Sequence, residues 1–179
     1  MSVNPTPGPS AHEAAAPLVL ELTVDRHPYR IVLPHAGTDY IQKKLAAERV
    51  PYEQEMLEDI RDRVSPGALV LDIGANIGNH TLYLAAVAGC RVESFEPNPE
   101  LCAALRESIA LNGFGDCVHL HETGLGRTAG TARFGVSTPD NLGGQHLTLG
   151  EGGLRVSALD SFAFGRPVEV IKLDVEGME

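Results

Sequence analysis

Apolar and polar residues alternate along residues 18–33, with one interruption at residues 25–28. A period of two is typical of a β-strand with one buried face, and the interruption reads Asp-Arg-His-Pro, a sequence that breaks strands. The pattern therefore predicts a β-hairpin outside the core sheet. Residues 1–17, with four prolines among Ala, Ser and Gly, carry too little apolar surface to offset ordering entropy, and we expect a disordered tail there.

Between residues 39 and 64 the period changes to that of a helix. Apolar residues recur at spacings of three and four, and Pro51 divides the stretch, so we predict two α-helices that end before Pro66. Together with the hairpin, these helices form an N-terminal extension over residues 18–66 that covers the core.

From residue 67 onward, short apolar runs alternate with helical patterns, which favours an α/β fold with a parallel sheet. The predicted fold class is a doubly wound, Rossmann-like domain over residues 67–179. Residues 124–154 are rich in Gly and Thr without a helical period, and we expect short antiparallel strands and loops there, over the ligand edge of the sheet. The predicted strands are residues 68–73, 91–95, 118–121 and 168–173, and the predicted helices are residues 77–88 and 98–111.

Charge and composition narrow the function classes. The formal net charge is −10, without a local run of Lys or Arg, so we expect no nucleic-acid partner. No stretch reaches the roughly 18 consecutive apolar residues that a membrane span needs. Cys90, Cys102 and Cys117 lack the spacing of a disulfide framework, which indicates reduced thiols and a cytoplasmic location. The oligomeric state stays open.

A glycine-rich turn follows the first predicted core strand. It runs from Asp72 to Gly78 as Asp-Ile-Gly-Ala-Asn-Ile-Gly and leads into a helix. Glycines allow close backbone approach, and a helix N-terminus favours an anion or a carboxylate, so a ligand site is predicted here. A dinucleotide fingerprint has glycine at its first, third and sixth positions, whereas Asn76 replaces the middle glycine, which argues against a nicotinamide cofactor.

A second cofactor signal stands at the end of the next strand. Glu96, followed by Pro97, is a carboxylate that can accept both hydroxyl protons of a ribose. Several cofactors contain ribose, so the carboxylate of Glu96 predicts a nucleoside-containing cofactor without identifying it.

Short blocks spread in order over residues 36–179 resemble the FkbM family of methyltransferases. They are residues 72–78 with Thr81-Leu82, residues 95–98 (Phe-Glu-Pro-Asn), 111–113 (Leu-Asn-Gly), 141–144 (Asn-Leu-Gly-Gly), 159–160 (Leu-Asp) and 171–179 (Ile-Lys-Leu-Asp-Val-Glu-Gly-Met-Glu). The resemblance implies an S-adenosylmethionine-dependent O-methyltransferase that acts on a small-molecule or glycan acceptor, such as a sugar or a secondary metabolite.

The resemblance also implies a set of cofactor-binding residues. The glycine loop would cradle the methionyl part of S-adenosylmethionine, Glu96 would bind the ribose, and the loop near Glu122 would border the adenine. The implied set is Asp72, Gly74, Ala75, Asn76, Gly78, Glu96, Pro97 and Glu122.

Asp174 and Glu176 come directly after the last predicted strand, at the edge of the sheet where such folds bind ligands. We predict that they bind the acceptor or remove its proton, although a carboxylate with a reference pKa of about 4 is better suited to orienting a hydroxyl. The alternative is that they cap the next turn or pair with Lys172. Residues 141–144 either line the acceptor pocket or form a turn.

Three further features carry weaker signals. His80, in the first turn of the helix after the glycine loop, is predicted to be a surface histidine rather than a base. Residues 52–53 (Tyr-Glu) are expected to close over the cofactor pocket, by analogy with this fold. Cys117, His119 and His121 share one face of a strand by period two, but we expect this strand at the edge of the sheet and predict no metal site.

Enzymes of this fold continue with further strands and helices beyond the strand that ends near Asp174, so we expect the parallel sheet to be incomplete at the C-terminus. Residues 168–173 would then present an unpaired apolar edge, and we expect the chain to be poorly soluble or to associate. Two other functions remain open. One is a nicotinamide-dependent oxidoreductase, and the other is a non-catalytic remnant that keeps the cofactor loop without an acceptor site.

Overall fold

The computed structural model describes residues 16–135 and 147–175. Most of the predicted tail, residues 141–144 and Glu176 lie outside the described residues. The strands are β1 (Leu18–Val24), β2 (His27–Leu33), β3 (Leu69–Ile73), β4 (Arg91–Phe95), β5 (Val118–His121), β6 (Gly124–Leu125), β7 (Gly130–Phe134), β8 (Leu147–Leu149), β9 (Leu154–Ser157) and β10 (Val168–Leu173). The helices are α1 (Tyr40–Glu48), α2 (Gln54–Arg63), α3 (Asn79–Ala86) and α4 (Pro99–Asn112).

The predicted hairpin is confirmed as the antiparallel pair of β1 and β2, which forms a sheet separate from the core sheet. The two turn residues, Asp25 and Arg26, have φ of 48° and 70°. Left-handed backbone at both central positions gives a two-residue turn that matches the twist of the strands. The hairpin packs on α4, where the backbone N–H of Val32 donates to Oγ of Ser108 at 2.9 Å.

The two N-terminal helices are also confirmed, and the loop that contains Pro51 separates them. Asp39 caps α1 by accepting a hydrogen bond from the backbone N–H of Gln42 at 3.0 Å. The helix ends at Arg49, which has φ of 56°, and α2 begins after Glu53, which has φ of 57° and ψ of 41°. The connection therefore holds two non-glycine residues in a left-handed conformation that costs about 1 kcal/mol or more.

The core sheet is parallel and has the strand order β10-β3-β4-β5 among the described strands. All five residues of β3 are buried, because it lies inside the sheet and both of its faces are covered. Helices α3 and α4 and the N-terminal extension pack on one face, and the segment with Phe162 and Phe164 packs on the other. This arrangement confirms the predicted Rossmann-like α/β fold.

A second sheet lies between β5 and β10 in the chain, with the order β6-β9-β7-β8. β7 pairs antiparallel with both β8 and β9, as the sequence predicts for residues 124–154. β6 differs, because it pairs parallel with β9. The sequence pattern did not separate β9 as a strand, since its four residues are too few for periodicity to identify.

Within the described residues, β10 pairs only with β3. Ile171 and Leu173 on β10 are 53% and 47% exposed, so an apolar strand surface faces solvent in this part of the chain. The expected self-association of this edge stays a prediction. No described helix has the length and apolar character needed to cross a bilayer.

Candidate functional site

The carboxyl ends of β3, β4 and β10 converge on a cavity of about 380 Å³. This volume lies within the range of small-molecule sites. The N-terminal extension provides one wall, and the small sheet provides another. The lining residues are Tyr40, Ile41, Tyr52, Glu53, Ile73, Gly74, Ala75, Asn76, Ile77, Asn79, His80, Phe95, Glu96, Pro97, Asn98, Leu101, Thr123, Gly124, Leu125, Phe134, Leu147, Lys172, Asp174 and Val175.

The glycines of the loop are required by the protein's own packing. Gly74 has φ of 80°, and a Cβ there would lie 1.9 Å from the carbonyl oxygen of Asp174. Gly78 has φ of 92°, and a Cβ there would lie 2.3 Å from a methyl carbon of Leu105. The sequence argument gave ligand approach as the reason for these glycines, whereas the structure shows that loop-to-strand and loop-to-helix contacts suffice to exclude other residues.

The backbone N–H groups of the loop are also used internally. Those of Gly74 and Ala75 both donate to the carbonyl of Phe95 at 3.0 Å. The N–H of Asn76 donates to Oε2 of Glu96 at 2.8 Å, and the loop is thereby tied to the end of β4. These three N–H groups are therefore not available to an anion, and the sequence argument for an anion or a carboxylate concerns the N-terminus of α3 instead.

Asp72 lies beneath the loop in a buried polar network. Its side chain is fully buried, and its Oδ1 lies 3.1 Å from Nζ of Lys172, which also donates to the carbonyl of Gly74 at 3.0 Å. The hydroxyl of Thr81 donates to Oδ2 of Asp72 at 2.6 Å and lies 2.8 Å from Oγ of Ser94. Burial alone would raise the pKa of Asp72, but the ammonium of Lys172, together with His80 and these hydrogen bonds, lowers it.

Glu96 has a different environment at the end of β4. It is 6% exposed, and its two carboxylate oxygens accept the backbone N–H groups of Asn76 and Asn98, each at 2.8 Å. Burial raises the pKa of Glu96 to about 7, because the two N–H donors and the more distant Lys172 only partly offset the loss of solvent. Each oxygen keeps a second lone pair that can accept a ligand hydroxyl.

Two further predicted positions, Asp174 and Glu122, lie in different surroundings, while Pro97 lines the main cavity. The side chain of Asp174 is 57% exposed, and its Oδ2 lies 3.9 Å from Nζ of Lys172, which is farther than that ammonium lies from Asp72. Glu122 pairs with Arg106 and lines a neighbouring cavity rather than the one described above. The next residues in the chain, Thr123 and Gly124, line the main cavity.

The helical position of His80 suggested a surface histidine, and this prediction is wrong. Its side chain is only 9% exposed, and its Nε2 lies 3.2 Å from Oε2 of Glu53. The loop between α1 and α2 covers it, because the side-chain amide of Asn79 both accepts from the N–H of Tyr52 and donates to its carbonyl, at 3.0 and 2.9 Å. Tyr52 and Glu53 line the cavity, and their closing over the cofactor stays a prediction.

Sequence reasoning treated Lys172 only as an alternative partner of Asp174. A signal was present, since Lys172 is a single cation in the apolar run Val-Ile-Lys-Leu of a strand, and a buried lysine requires a partner. The identity of that partner could not be read from the sequence.

The strand β5 lies at the edge of the described sheet, as predicted. His119 and His121 both contact the carboxylate of Glu93 on β4, at 3.1 and 2.5 Å, and His121 also stacks on Phe95. No described group of three or more His, Cys, Asp or Glu residues has the geometry of a metal site. Cys117 is a free thiol that donates weakly to the carbonyl of Phe114.

Comparison with family models agrees with this geometry. The model described as the methyltransferase FkbM domain matches residues 72–179, which is more than half of the chain. The chain belongs to the FkbM methyltransferase family. The family resemblance noted in the sequence is therefore confirmed, and the matched FkbM region begins at Asp72, the buried acid of the loop.

Several solved structures resemble part of the chain at low sequence identity. P. horikoshii TYW2 in complex with MeSAdo is 22% identical, with a TM-score of 0.44 over 59% of this chain and 36% of that one. A SAM-dependent methyltransferase from Agrobacterium tumefaciens is 15% identical, with a TM-score of 0.41 over 63% of this chain and 34% of that one. The aTrm5 protein in complex with tRNALeu is 18% identical, with a TM-score of 0.43 over 63% of this chain and 30% of that one. The FkbM chain thus spans about a third of the length of these proteins. No curated protein sequence matches it.

One wall of the cavity comes from outside the FkbM match. Tyr40, Ile41, Tyr52 and Glu53 belong to the N-terminal extension, yet they face the loop that begins at Asp72. The site is therefore built from two parts of the chain.

Proposed function

We propose that this protein is an S-adenosylmethionine-dependent methyltransferase that methylates a hydroxyl oxygen of a sugar or secondary metabolite. The proposal rests on the cavity, whose charged and apolar parts match that cofactor, and on the FkbM family membership. Bound there, S-adenosylmethionine would supply an electrophilic methyl group carried on a sulfonium.

The lining of the cavity suits a nucleoside with a charged tail. Leu101, Leu125, Phe134 and Leu147 supply apolar surface, which suits an adenine ring. Glu96 lines the same cavity and has lone pairs for the two ribose hydroxyls. In this proposal Pro97 packs beside the ribose, the chain near Glu122 borders the adenine, and Asp72, Gly74, Ala75, Asn76 and Gly78 form the floor under the methionyl group.

The net charge of the residues that line the cavity is the observation that favours S-adenosylmethionine over a nicotinamide dinucleotide. Among the described lining residues, Glu53, Glu96 and Asp174 are acidic, and Lys172 is the one permanent cation. Lys172 is already paired with Asp72. A net negative wall favours a ligand with a sulfonium and an ammonium, and it disfavours the pyrophosphate of a nicotinamide dinucleotide. This observation favours methyl transfer over the oxidoreductase alternative.

We assign acceptor binding to Asp174 and Glu176. Asp174 stands at the carboxyl end of β10, on the cavity, with a side chain exposed enough to meet a second substrate. Methyl transfer requires the acceptor oxygen, the methyl carbon and the sulfur in line, so a carboxylate that accepts a hydrogen bond from the acceptor hydroxyl would fix that geometry. Glu176 keeps the same assignment from its place in the sequence.

The overall charge supports a small acceptor. A net charge of −10 opposes a phosphate backbone, so a sugar or metabolite fits better than a nucleic acid. The thiols of Cys90 and Cys102 are buried and free, and burial raises their pKa to about 11 and about 12. Unpaired thiols agree with a cytoplasmic location.

Calorimetric titration with S-adenosylhomocysteine tests the proposal, with NAD as the comparison ligand. We expect binding of S-adenosylhomocysteine only, weakened at least tenfold by Glu96→Ala, because the ribose hydroxyls lose a charged acceptor. Glu93→Ala is the matched control, since Glu93 lies on the same strand and contacts His119 and His121 away from the cavity. Binding of NAD, or no binding by the folded chain, would contradict the proposal.

A further inference from the structure

His80 and Glu53 form an acid–imidazole pair inside the cavity, and neither the floor nor the ribose site uses it. Nε2 of His80 lies 3.2 Å from Oε2 of Glu53 and makes no hydrogen bond of regular geometry to any described residue. Both side chains line the cavity, as does Asp174. The pair therefore shares the cavity with Asp174, the residue to which acceptor binding is assigned.

The chain holds this pair in place from two directions. Glu53 precedes α2 but makes no side-chain cap with the helix, and it has a left-handed backbone and lines the cavity. The reciprocal hydrogen bonds between Asn79 and Tyr52 fix the loop against the start of α3, one residue before His80. The carboxylate is thus directed at the imidazole instead of at the helix end.

The charged groups around the imidazole of His80 favour its uptake of a proton. Glu53 interacts with His80 from the N-terminal wall and Asp72 interacts with it from β3, while Lys172 of β10 interacts with both of these carboxylates. The close contact with His80 lowers the pKa of Glu53, and burial offsets this only in part, so Glu53 stays ionised and is a poor proton acceptor itself. An ionised carboxylate beside an imidazole stabilises the imidazolium that forms when the ring takes up a proton.

We propose that His80 is the general base for the acceptor hydroxyl and that Glu53 positions it. This inference rests on the proposed function and deepens it, because it specifies an acceptor that carries a proton to be lost, an alcohol or a phenol. In the reaction, the proton of the acceptor O–H moves to the imidazole of His80. The oxygen–methyl bond forms, and the carbon–sulfur bond breaks with its electron pair left on sulfur.

An affinity label tests this arrangement without any acceptor. The probe is an S-adenosylhomocysteine analogue with a 2-chloroethylamine in place of the sulfur, which alkylates a nucleophile close to the methyl position and releases chloride. A base that contacts the acceptor oxygen lies about one atom beyond the methyl carbon, so the two-carbon arm reaches it. We expect peptide mass spectrometry to place the label on His80.

Variants separate a catalytic role from a structural one. We expect His80→Gln to abolish labelling. Glu53→Gln should slow it about tenfold and move its half-maximal rate to lower pH, because the protonated imidazole loses its counter-charge. His35→Gln is the matched control, since His35 pairs with Glu100 at 2.7 Å outside the cavity, and it should label like the unaltered protein. Thermal melting of each variant confirms that it is folded.

The outcomes distinguish the inference from the function on which it rests. Calorimetric binding of the probe with labelling at Asp174, at another residue or nowhere would overturn the role of His80 while leaving the cofactor assignment standing. An unchanged pH profile in Glu53→Gln would overturn the role of Glu53. A folded chain that binds neither the probe nor S-adenosylhomocysteine would overturn the proposed function, and this inference with it.

Discussion

Two carboxylates stand at the ends of neighbouring strands, and the protein treats them in opposite ways. Asp72 at β3 and Glu96 after β4 are both almost fully buried. The pKa of Asp72 is lowered, because the ammonium of Lys172 and other partners outweigh the burial that would raise it. The pKa of Glu96 is raised to about 7, because burial dominates over its two backbone N–H donors. The nearby cation accounts for the contrast.

The difference separates a structural acid from a binding acid. Asp72 forms an ion pair with Lys172 and accepts a hydrogen bond from Thr81, so it joins β10 and α3 to the central strand whether or not a ligand is present. Glu96 lacks a close counter-ion among the described residues, so its ionised form becomes favourable when further donors arrive. A buried carboxylate without a cation is thus the better candidate for recognising hydroxyls.

The largest effect is expected where the structural acid loses its cation. Lys172→Met should lower the free energy of unfolding by about 3–5 kcal/mol, because Asp72 is left buried and unpaired. Urea denaturation measures this change. The double variant Asp72→Asn with Lys172→Met should recover most of the loss, and a single variant that loses less than about 1 kcal/mol would mean that the pair does not hold the sheet together.

A smaller effect is expected from the hydroxyl that supports the same acid. Thr81→Val keeps the shape of the side chain and removes a hydrogen bond to a buried carboxylate, which should lower the free energy of unfolding by about 2 kcal/mol. Thr131→Val is the matched control, because Thr131 donates to the carbonyl of Gly150 at an exposed position. Its cost should stay below about 0.5 kcal/mol. Equal losses in the free energy of unfolding of the two variants would contradict the prediction that the hydrogen bond to Asp72 stabilises the fold more than an exposed one.

If Glu96 binds the ribose, the affinity for S-adenosylhomocysteine should depend on pH. Glu96 becomes protonated as pH falls through about 7, and a protonated carboxyl no longer accepts two ribose hydroxyls equally well. If the ligand needs the ionised form, S-adenosylhomocysteine should bind about tenfold more weakly at pH 6 than at pH 8. Calorimetry across this range measures it. Glu96→Gln should bind weakly but with a flat profile, and a flat profile in the unaltered protein would contradict the assignment.

Much of the fold and part of the site could be predicted from the sequence. The hairpin turn at residues 25–26, the helix break near Pro51 and the strand-to-helix alternation are set by consecutive residues, so periodicity and turn chemistry identify them. The convergence of Glu96 and Asp174 on one cavity follows from the parallel sheet. The burial of His80 did not follow, because it depends on a loop that precedes the sheet in the chain.

By itself, the sequence determined the α/β alternation, the family and the positions of the acidic residues at the strand ends, because each is encoded in short contiguous segments. Only the tertiary structure decided what those acids do. It brought Lys172 closer to Asp72 than to Asp174, left Glu96 without a close cation, and turned the glycine loop's amides inward. A charge is governed by its neighbours in space, and here those neighbours come from distant strands and from the N-terminal loop.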